Sequence, residues 1–238
     1  MSATTITFTA DEMMAVAAAR LLRDGTVCFV GIGLPSQAAN LALRTNAPGL
    51  VLIYESGTIG AKPVELPLSI GDGELAETAD AVVSVPEIFG YWLQSGRIDV
   101  GFLGAAQIDR HGNLNSTVIG SYDTPTVRLP GGGGAPEIAL GVEQVFVMLR
   151  HSPRAFVERL DFTTSLGDNL RVVITDLGIL ERWDGELTLV SVHPGVAVDD
   201  VRAATGWELR IAADVALTKP PTDDELAALR GLKTKGRD

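Results

Sequence analysis

Short apolar runs ending in glycine-rich turns recur along the chain and alternate with stretches of helical spacing. Thr9-Ala10-Asp11-Glu12 has the form of a capping box, in which a hydroxyl is followed three residues later by a carboxylate. Met13 to Leu22 then carries apolar residues at helical spacing and meets the stop signal Arg23-Asp24-Gly25. Thr26 to Val30 predicts a strand running into Gly31-Ile32-Gly33-Leu34-Pro35, with a helix expected from Ser36 to Arg44. Val51-Leu52-Ile53-Tyr54 is the next strand. Strand, turn, helix and strand make a βαβ unit, for which a right-handed crossover is expected.

The alternation continues. Residues 81–85 and 98–103 predict strands, separated by a helix starting near Pro86 with Phe89, Trp92 and Leu93 on one side. Strands are expected at 113–119 and 126–129 around the turn formers Gly120 to Pro125, and again at 145–149, 172–175 and 187–192. Helices return at 198–204 and 222–232, the second opened by another capping box, Thr222-Asp223-Asp224-Glu225. No Pro/Ser-rich linker and no internal repeat divides the sequence. The expected architecture is a single open α/β domain over 1–238, with an ordered core from roughly residue 10 to 230. Its sheet is expected to be largely parallel and flanked by helices, with antiparallel strands added after the middle.

Charge narrows the partners. The 238 residues carry a formal net charge of −11, which speaks against nucleic acid or an anionic membrane, because either needs a basic face. A small anionic substrate needs only one or two local cations and stays open. Cys28 is the only cysteine and lies in an apolar run, so it reads as a small core residue and no disulfide forms within the chain. No basic stretch followed by an apolar one opens the sequence, and no run is long enough to span a bilayer; a cytoplasmic protein without a signal peptide is expected. His111, His151 and His193 lack metal-ligand spacing, and no metal site is expected.

The candidate chemistry lies at strand ends. Glu55 follows strand 51–54 at once and is followed by Ser56-Gly57-Thr58-Ile59-Gly60. Open α/β sheets bind ligands beyond the carboxyl ends of their strands, so Glu55 is either a surface carboxylate capping a strand or a catalytic one. Gly31 and Gly33 form a tight strand-to-helix turn; Ser36 stands where a dinucleotide fingerprint has its third glycine, and the Lys-Ser/Thr of a P-loop is missing. Gly71-Asp72-Gly73-Glu74 is a third such turn. The run Gly131-Gly132-Gly133-Gly134 before Ala135-Pro136 reads in two ways, as a flexible surface loop or as an oxyanion site of exposed amides. In Asp99 to Asn115 a strand gives way to a polar loop, where Asp109, Asn113 and Asn115 suit a scaffold of side chain to backbone bonds. Gln107 is a candidate for orienting a substrate carbonyl.

Taken together, Val30 to Pro35, Glu55-Ser56-Gly57, Asp99 to Asn115 and Gly131 to Ala135 resemble the B subunits of the family I CoA-transferases over nearly the whole chain. The 3-oxoadipate CoA-transferase B subunits are the nearest branch, and glutaconate CoA-transferase B subunits share the Glu-Ser-Gly form. The segment 166–171 looks shorter than in these relatives, which would alter the rim of the site. The resemblance implies the CoA-transferase fold and ping-pong transfer of CoA from succinyl-CoA to a 3-oxo acid, with Glu55 as nucleophile. It also implies amides of Gly132, Gly133 or Gly134 as oxyanion donors, and a homologous A-type subunit as partner. Acyl-CoA and a carboxylic acid are then the small-molecule ligands; CoA is a substrate, and no cofactor is expected. Gly31, Gly33, Ser56, Gly57 and Gln107 complete the candidate binding set. Lys62, Arg97, Arg110 and Arg128 are the cations near these loops that a distal carboxylate would use. Two other functions remain in view: an acyl-CoA hydrolase of the same scaffold cleaving a ring or a C–C bond, expected to lack the glutamate, and a non-catalytic acyl-CoA-binding subunit.

Overall fold

A computed structural model describes residues 7–234. These fall into two compact units, one built from residues up to Val83 together with those from Lys219 on, the other from Ser84 to Thr218.

The first unit opens with α1 (Ala10–Leu21). Its Thr9 hydroxyl accepts from the Glu12 amide at 3.2 Å while the Glu12 carboxylate accepts from the Thr9 amide at 2.7 Å, the capping box that the sequence predicts. Strand β1 (Val27–Phe29), helix α2 (Leu34–Arg44) and strand β2 (Val51–Ile53) follow. Strands β1 and β2 pair in parallel, Val27 opposite Val51 and Phe29 opposite Ile53. The chain reverses into β3 (Thr58–Ile59), antiparallel to β2, then passes through β4 (Glu65–Leu66), α3 (Gly73–Glu77) and β5 (Ala81–Val82), antiparallel to β3. Cys28 is fully buried in this core, as expected.

The C-terminal helix Asp223–Arg230 closes the unit through a second capping box, Thr222 with Glu225. The two boxes are clasped crosswise. Arg20 of α1 donates to both Glu225 oxygens at 2.7 and 2.6 Å, and Arg230 donates to both Glu12 oxygens at 2.6 and 3.2 Å. Bidentate geometry of this kind fixes direction as well as distance.

The second unit starts at Ser84, which caps α4 (Val85–Glu87) in a further capping box with Glu87. The helix expected near Pro86 then widens into a π-helical turn, Ile88–Leu93, with the Gln94 amide donating to Phe89 O. Five-residue spacing turns Ile88 and Leu93 inward, whereas the sequence suggests Phe89, Trp92 and Leu93 as one face. Strands β6 (Val100–Leu103), β7 (Gln107–Ile108), β8 (Leu114–Asn115), β9 (Val118–Gly120) and β10 (Pro125–Arg128) follow. The single strand expected over 113–119 is thus two short ones. The Asn115 carboxamide oxygen accepts from the Thr117 and Val118 amides at 3.0 and 3.3 Å, and this local turn breaks the ladder.

After α5 (Ala135–Gly141) come β11 (Gln144–Met148), β12 (Leu170–Ile174), β13 (Gly178–Trp183), β14 (Glu186–Val192), α6 (Val198–Ala203) and β15 (Arg210–Leu217). Within this unit the sheet order is β15-β14-β13-β12-β11-β6. β6, β11 and β12 are mutually parallel, β13 and β14 run as an antiparallel pair, and β15 is parallel to β14. The fold is α/β with a mostly parallel sheet, as expected; antiparallel strands are added late in the chain as expected, and also early, at β3 and β5, which the sequence does not suggest.

Candidate active site

Parallel pairing of β1 and β2 brings their carboxyl ends to one edge of the first unit. The ladder extends one step beyond the strands, with the Val30 amide donating to Ile53 O at 2.9 Å. Tyr54 and Glu55 on one side therefore come level with Val30 and Gly31 on the other. Glu55 and Ser56 form the corner of a tight turn closed by the Gly57 amide donating to Tyr54 O, and the Tyr54 amide donating to Thr58 O, each at 3.0 Å.

Gly57 is obligatory here. Its φ is +110°, and a Cβ would stand 2.0 Å from the Val83 carbonyl oxygen, so both backbone conformation and space exclude a side chain. The Glu55 carboxylate is half-buried, and no hydrogen bond or ion pair among the described residues engages it. Two neighbouring hydroxyls, Ser56 Oγ and Thr58 Oγ1, are buried and likewise without a partner among the described residues. Buried hydroxyls are ordinarily paired, so this turn concentrates unused polar capacity around one carboxylate.

Gly31 and Gly33 lie on the loop from β1 to α2. Gly33 is the N-cap of α2, with φ +88° and no side chain to cap the helix. Beside it Ile32, Gly33, Ser36, Gln37, Leu66 and Pro67 line a cleft of about 190 Å³. Tyr54 is fully buried beneath this loop. Its hydroxyl lies 3.3 Å from Ser36 Oγ, and Asn40 Nδ2 donates to Ser36 O at 2.9 Å. Burial holds the Tyr54 phenol above its ordinary pKa, so it stays neutral. The sequence does not point to this trio, because Tyr54 reads as the last apolar residue of a strand.

Gly132, Gly133, Gly134 and Gln107 belong to the second unit. The glycine run is tied at its start, where the Gly131 amide donates to Ser116 O and Ser116 Oγ donates to Gly131 O, each at 2.9 Å. At its end Gly132 O and Gly134 O accept from the Ala135 and Ile138 amides. The amides of Gly132, Gly133 and Gly134 themselves donate to no carbonyl among the described residues. The run is thus anchored at both ends, with three backbone donors left over.

Gln107 differs from its expected role. It is buried, its Nε2 donates to Asp161 Oδ2 at 3.0 Å, and its Oε1 accepts from Asn115 Nδ2 at 2.7 Å and from the Asp161 amide at 3.3 Å. Both polar ends are committed to the protein, which makes Gln107 a brace rather than a group reaching for a substrate carbonyl. Asp109 and Asn115 are scaffold, as expected: Asp109 accepts from the His111 and Asn113 amides at 2.9 and 3.0 Å.

Of the candidate cations, Lys62 pairs with Asp80 at 3.8 Å and Arg110 with Glu158 at 3.4 Å, while Arg128 lies over the Tyr122 ring. Arg97 is exposed. No group of three or more His, Cys, Asp or Glu placed to hold a metal occurs among the described residues. His151 and His193 instead join a buried hydrogen-bonded cluster with Thr175, Thr205 and Thr218. The turn expected at His193 is present, closed by the Val196 amide on His193 O.

This chain is similar to known proteins over nearly its full extent. It is 57% identical to the 3-oxoadipate CoA-transferase B subunit of Pseudomonas knackmussii, across 96% of this chain and 94% of that one. The glutaconate CoA-transferase B subunit of Acidaminococcus fermentans is 33% identical across 90% of this chain and 88% of its own. The crystal structure of glutaconate coenzyme A-transferase from the same organism matches with a TM-score of 0.90 at 31% identity, covering 97% and 96% of the two chains. IpdAB of Rhodococcus jostii RHA1 matches with a TM-score of 0.80 at 26% identity, covering 96% and 95%. The family described as Coenzyme A transferase matches residues 11–204. That segment holds the Glu55 turn, the loop from Gly31 to Gly33 and the anchored glycine run, and the chain belongs to the coenzyme A transferase family.

Proposed function

We propose that this chain is the B-type subunit of a transferase that moves CoA from succinyl-CoA to a 3-oxo acid, with 3-oxoadipate the first acceptor to test. The observation that carries this reading is the half-buried Glu55 carboxylate, unengaged on a turn that Gly57 locks at the strand edge. The homologous relatives named as B subunits support a homologous A-type partner for this chain. An acyl-CoA donor points to the cytoplasm as its setting.

The chemistry follows from a carboxylate nucleophile. Glu55 attacks the thioester carbonyl of the donor, and the tetrahedral oxyanion collapses with loss of CoA thiolate to a mixed anhydride. The thiolate then attacks the glutamyl carbonyl of that anhydride, releasing the donor's carboxylate and leaving a glutamyl-CoA thioester. The acceptor carboxylate attacks this thioester and runs the two steps in reverse, so Glu55 is restored and no proton is gained or lost. A covalent route splits one hard exchange into easier steps. The amides of Gly132, Gly133 and Gly134 are the donors for the oxyanions; loss of one well-placed donor typically costs about 10²–10³ in rate. Water must be excluded, since it hydrolyses the anhydride, and an A-type partner covering the site meets that need.

The test is co-expression with an A-type subunit, exposure to succinyl-CoA, and peptide mass analysis. A CoA-sized adduct on the peptide carrying Glu55, cleared by 3-oxoadipate, is the expected result. Free CoA without any adduct overturns the transferase reading in favour of a hydrolase; no reaction with any acyl-CoA points to a binding subunit.

A further inference from the structure

Two of the candidate site motifs, the Glu55 turn and the Gly31 to Gly33 loop, meet through one pair of hydroxyls. Tyr54 is the residue immediately before the nucleophile and the first residue of its turn; its carbonyl and amide are the two groups that close that turn. Ser36 stands in the first turn of α2, directly after the Gly31 to Gly33 loop, and lines the cleft beside Gly33. Both are buried, Tyr54 at 0% and Ser36 at 2% exposure, and their hydroxyls lie 3.3 Å apart. Asn40, one helical turn further on and 2% exposed, donates to Ser36 O at 2.9 Å and to Ser36 Oγ at 3.4 Å. A tyrosine this deeply buried usually finds a partner for its hydroxyl. Here the partner is the helix whose N-cap carries the glycine loop.

We infer that Tyr54, Ser36 and Asn40 form a clamp that holds the Glu55 turn and the Gly31 to Gly33 loop at one fixed spacing, which makes them positioning residues for the transfer. The inference rests on the proposed role of Glu55. A phenylalanine at position 54 keeps the ring and removes only the hydroxyl, so the comparison isolates that group. Fixing direction matters because small misplacements of a reacting group cost far more in rate than in stability.

The experiment compares the wild-type A/B complex with Y54F, S36A, S36T and the double variant Y54F/S36A. Three quantities are read: the single-turnover rate of adduct formation on Glu55, the KM for the donor, and amide hydrogen exchange of the peptides covering 31–36 and 54–60. We expect Y54F and S36A each to slow adduct formation by about tenfold, with KM for the donor within about twofold. S36T, which keeps the hydroxyl, retains most of the rate. The double variant is no slower than the slower single, because each removes the same contact. Exchange rises in both peptides and stays unchanged elsewhere. Unchanged exchange at 31–36 and 54–60 in Y54F overturns the inference, whatever happens to the rate. So does a double variant whose defect is the product of the two singles. If the clamp variants loosen both peptides but the wild-type complex forms no adduct, the clamp stands and the proposed role of Glu55 falls.

Discussion

Each unit places polar side chains just beyond the carboxyl ends of its strands, and the two use them in opposite ways. In the second unit, Thr175 after β12 meets both His151, through its hydroxyl, and His193 after β14, through its carbonyl. His151 Nδ1 lies 3.3 Å from Thr175 Oγ1, its Nε2 lies 3.0 Å from Thr205 Oγ1, and its ring stacks on Phe156 with centroids 3.6 Å apart. Thr175 Oγ1 also accepts from the Leu177 and Gly178 amides and donates to Gly178 O. Each of these side chains has its partners. At the corresponding edge of the first unit, the Glu55 carboxylate and the Ser56 and Thr58 hydroxyls have none among the described residues. A satisfied buried network rigidifies and stabilises, whereas unpaired groups are destabilising and are tolerated where chemistry uses them. The same strand-end position is thus fully paired in one unit and left unpaired in the other, where the proposed chemistry would use it.

Substitutions can break that contrast. The largest effect is expected from Glu55→Ala, which should reduce CoA transfer by at least about 10³-fold. Thermal melting of the complex should stay within the small range of surface substitutions, because the carboxylate anchors nothing. A Glu55→Ala complex that still exchanges CoA in a steady-state assay disproves the nucleophile. Gly57→Ala comes next, and here the fold itself should suffer. Backbone strain and a Cβ against Val83 O should cost about 3 kcal/mol or more in urea unfolding.

The second unit should announce itself through pH. Burial depresses the His151 pKa from 6.5 to about 4. The unfolded chain takes up this proton near pH 6.5 and the folded one does not, so the stabilisation is complete above that value. It is lost progressively as pH falls from 6.5 toward 4, by up to about 3 kcal/mol. Urea midpoints measured across that window should fall with pH, and His151→Gln should flatten the slope; an unchanged slope would remove His151 as its source.

The smallest effects sharpen the comparison most. Thr175→Val removes a fully used hydroxyl and should destabilise by about 2 kcal/mol. Thr58→Val removes an unpaired one of the same kind and should leave stability equal or raise it by up to about 1 kcal/mol. Denaturant unfolding of the two variants reads the difference directly, and a loss at both positions would mean that Thr58 is satisfied after all.

What the sequence reveals is local. The capping boxes at Thr9 and Thr222, the βαβ start and the placement of Glu55 at a strand end all depend on neighbours within a few residues. What escapes it depends on distant ones. Strand β15, Arg-Ile-Ala-Ala-Asp-Val-Ala-Leu, is rich in alanine and carries two charges; it is a strand because β14 offers it a ladder, which overrides its own preference. β13 is hidden for a related reason, since Glu181 and Arg182 interrupt its apolar character. Gln107 opens the short strand β7 in a segment dense in amides, where nothing local says that Asp161 will occupy it. The His151 cluster joins residues from 151 to 218, a range that no motif spans.

The crossed clasp between the ends of the first unit has a consequence for synthesis. Glu12 waits for Arg230 and Arg20 for Glu225, so α1 is anchored by a helix made about 200 residues later. On a ribosome working from the N-terminus, Ser84 to Thr218 is translated before the segment carrying Glu225 and Arg230. The strand pair that carries Glu55 therefore belongs to a unit that is completed last. A chain ending at Thr218 would keep every strand of the second unit and still leave α1 without its clasp, so such a product is incomplete in the unit that holds Glu55.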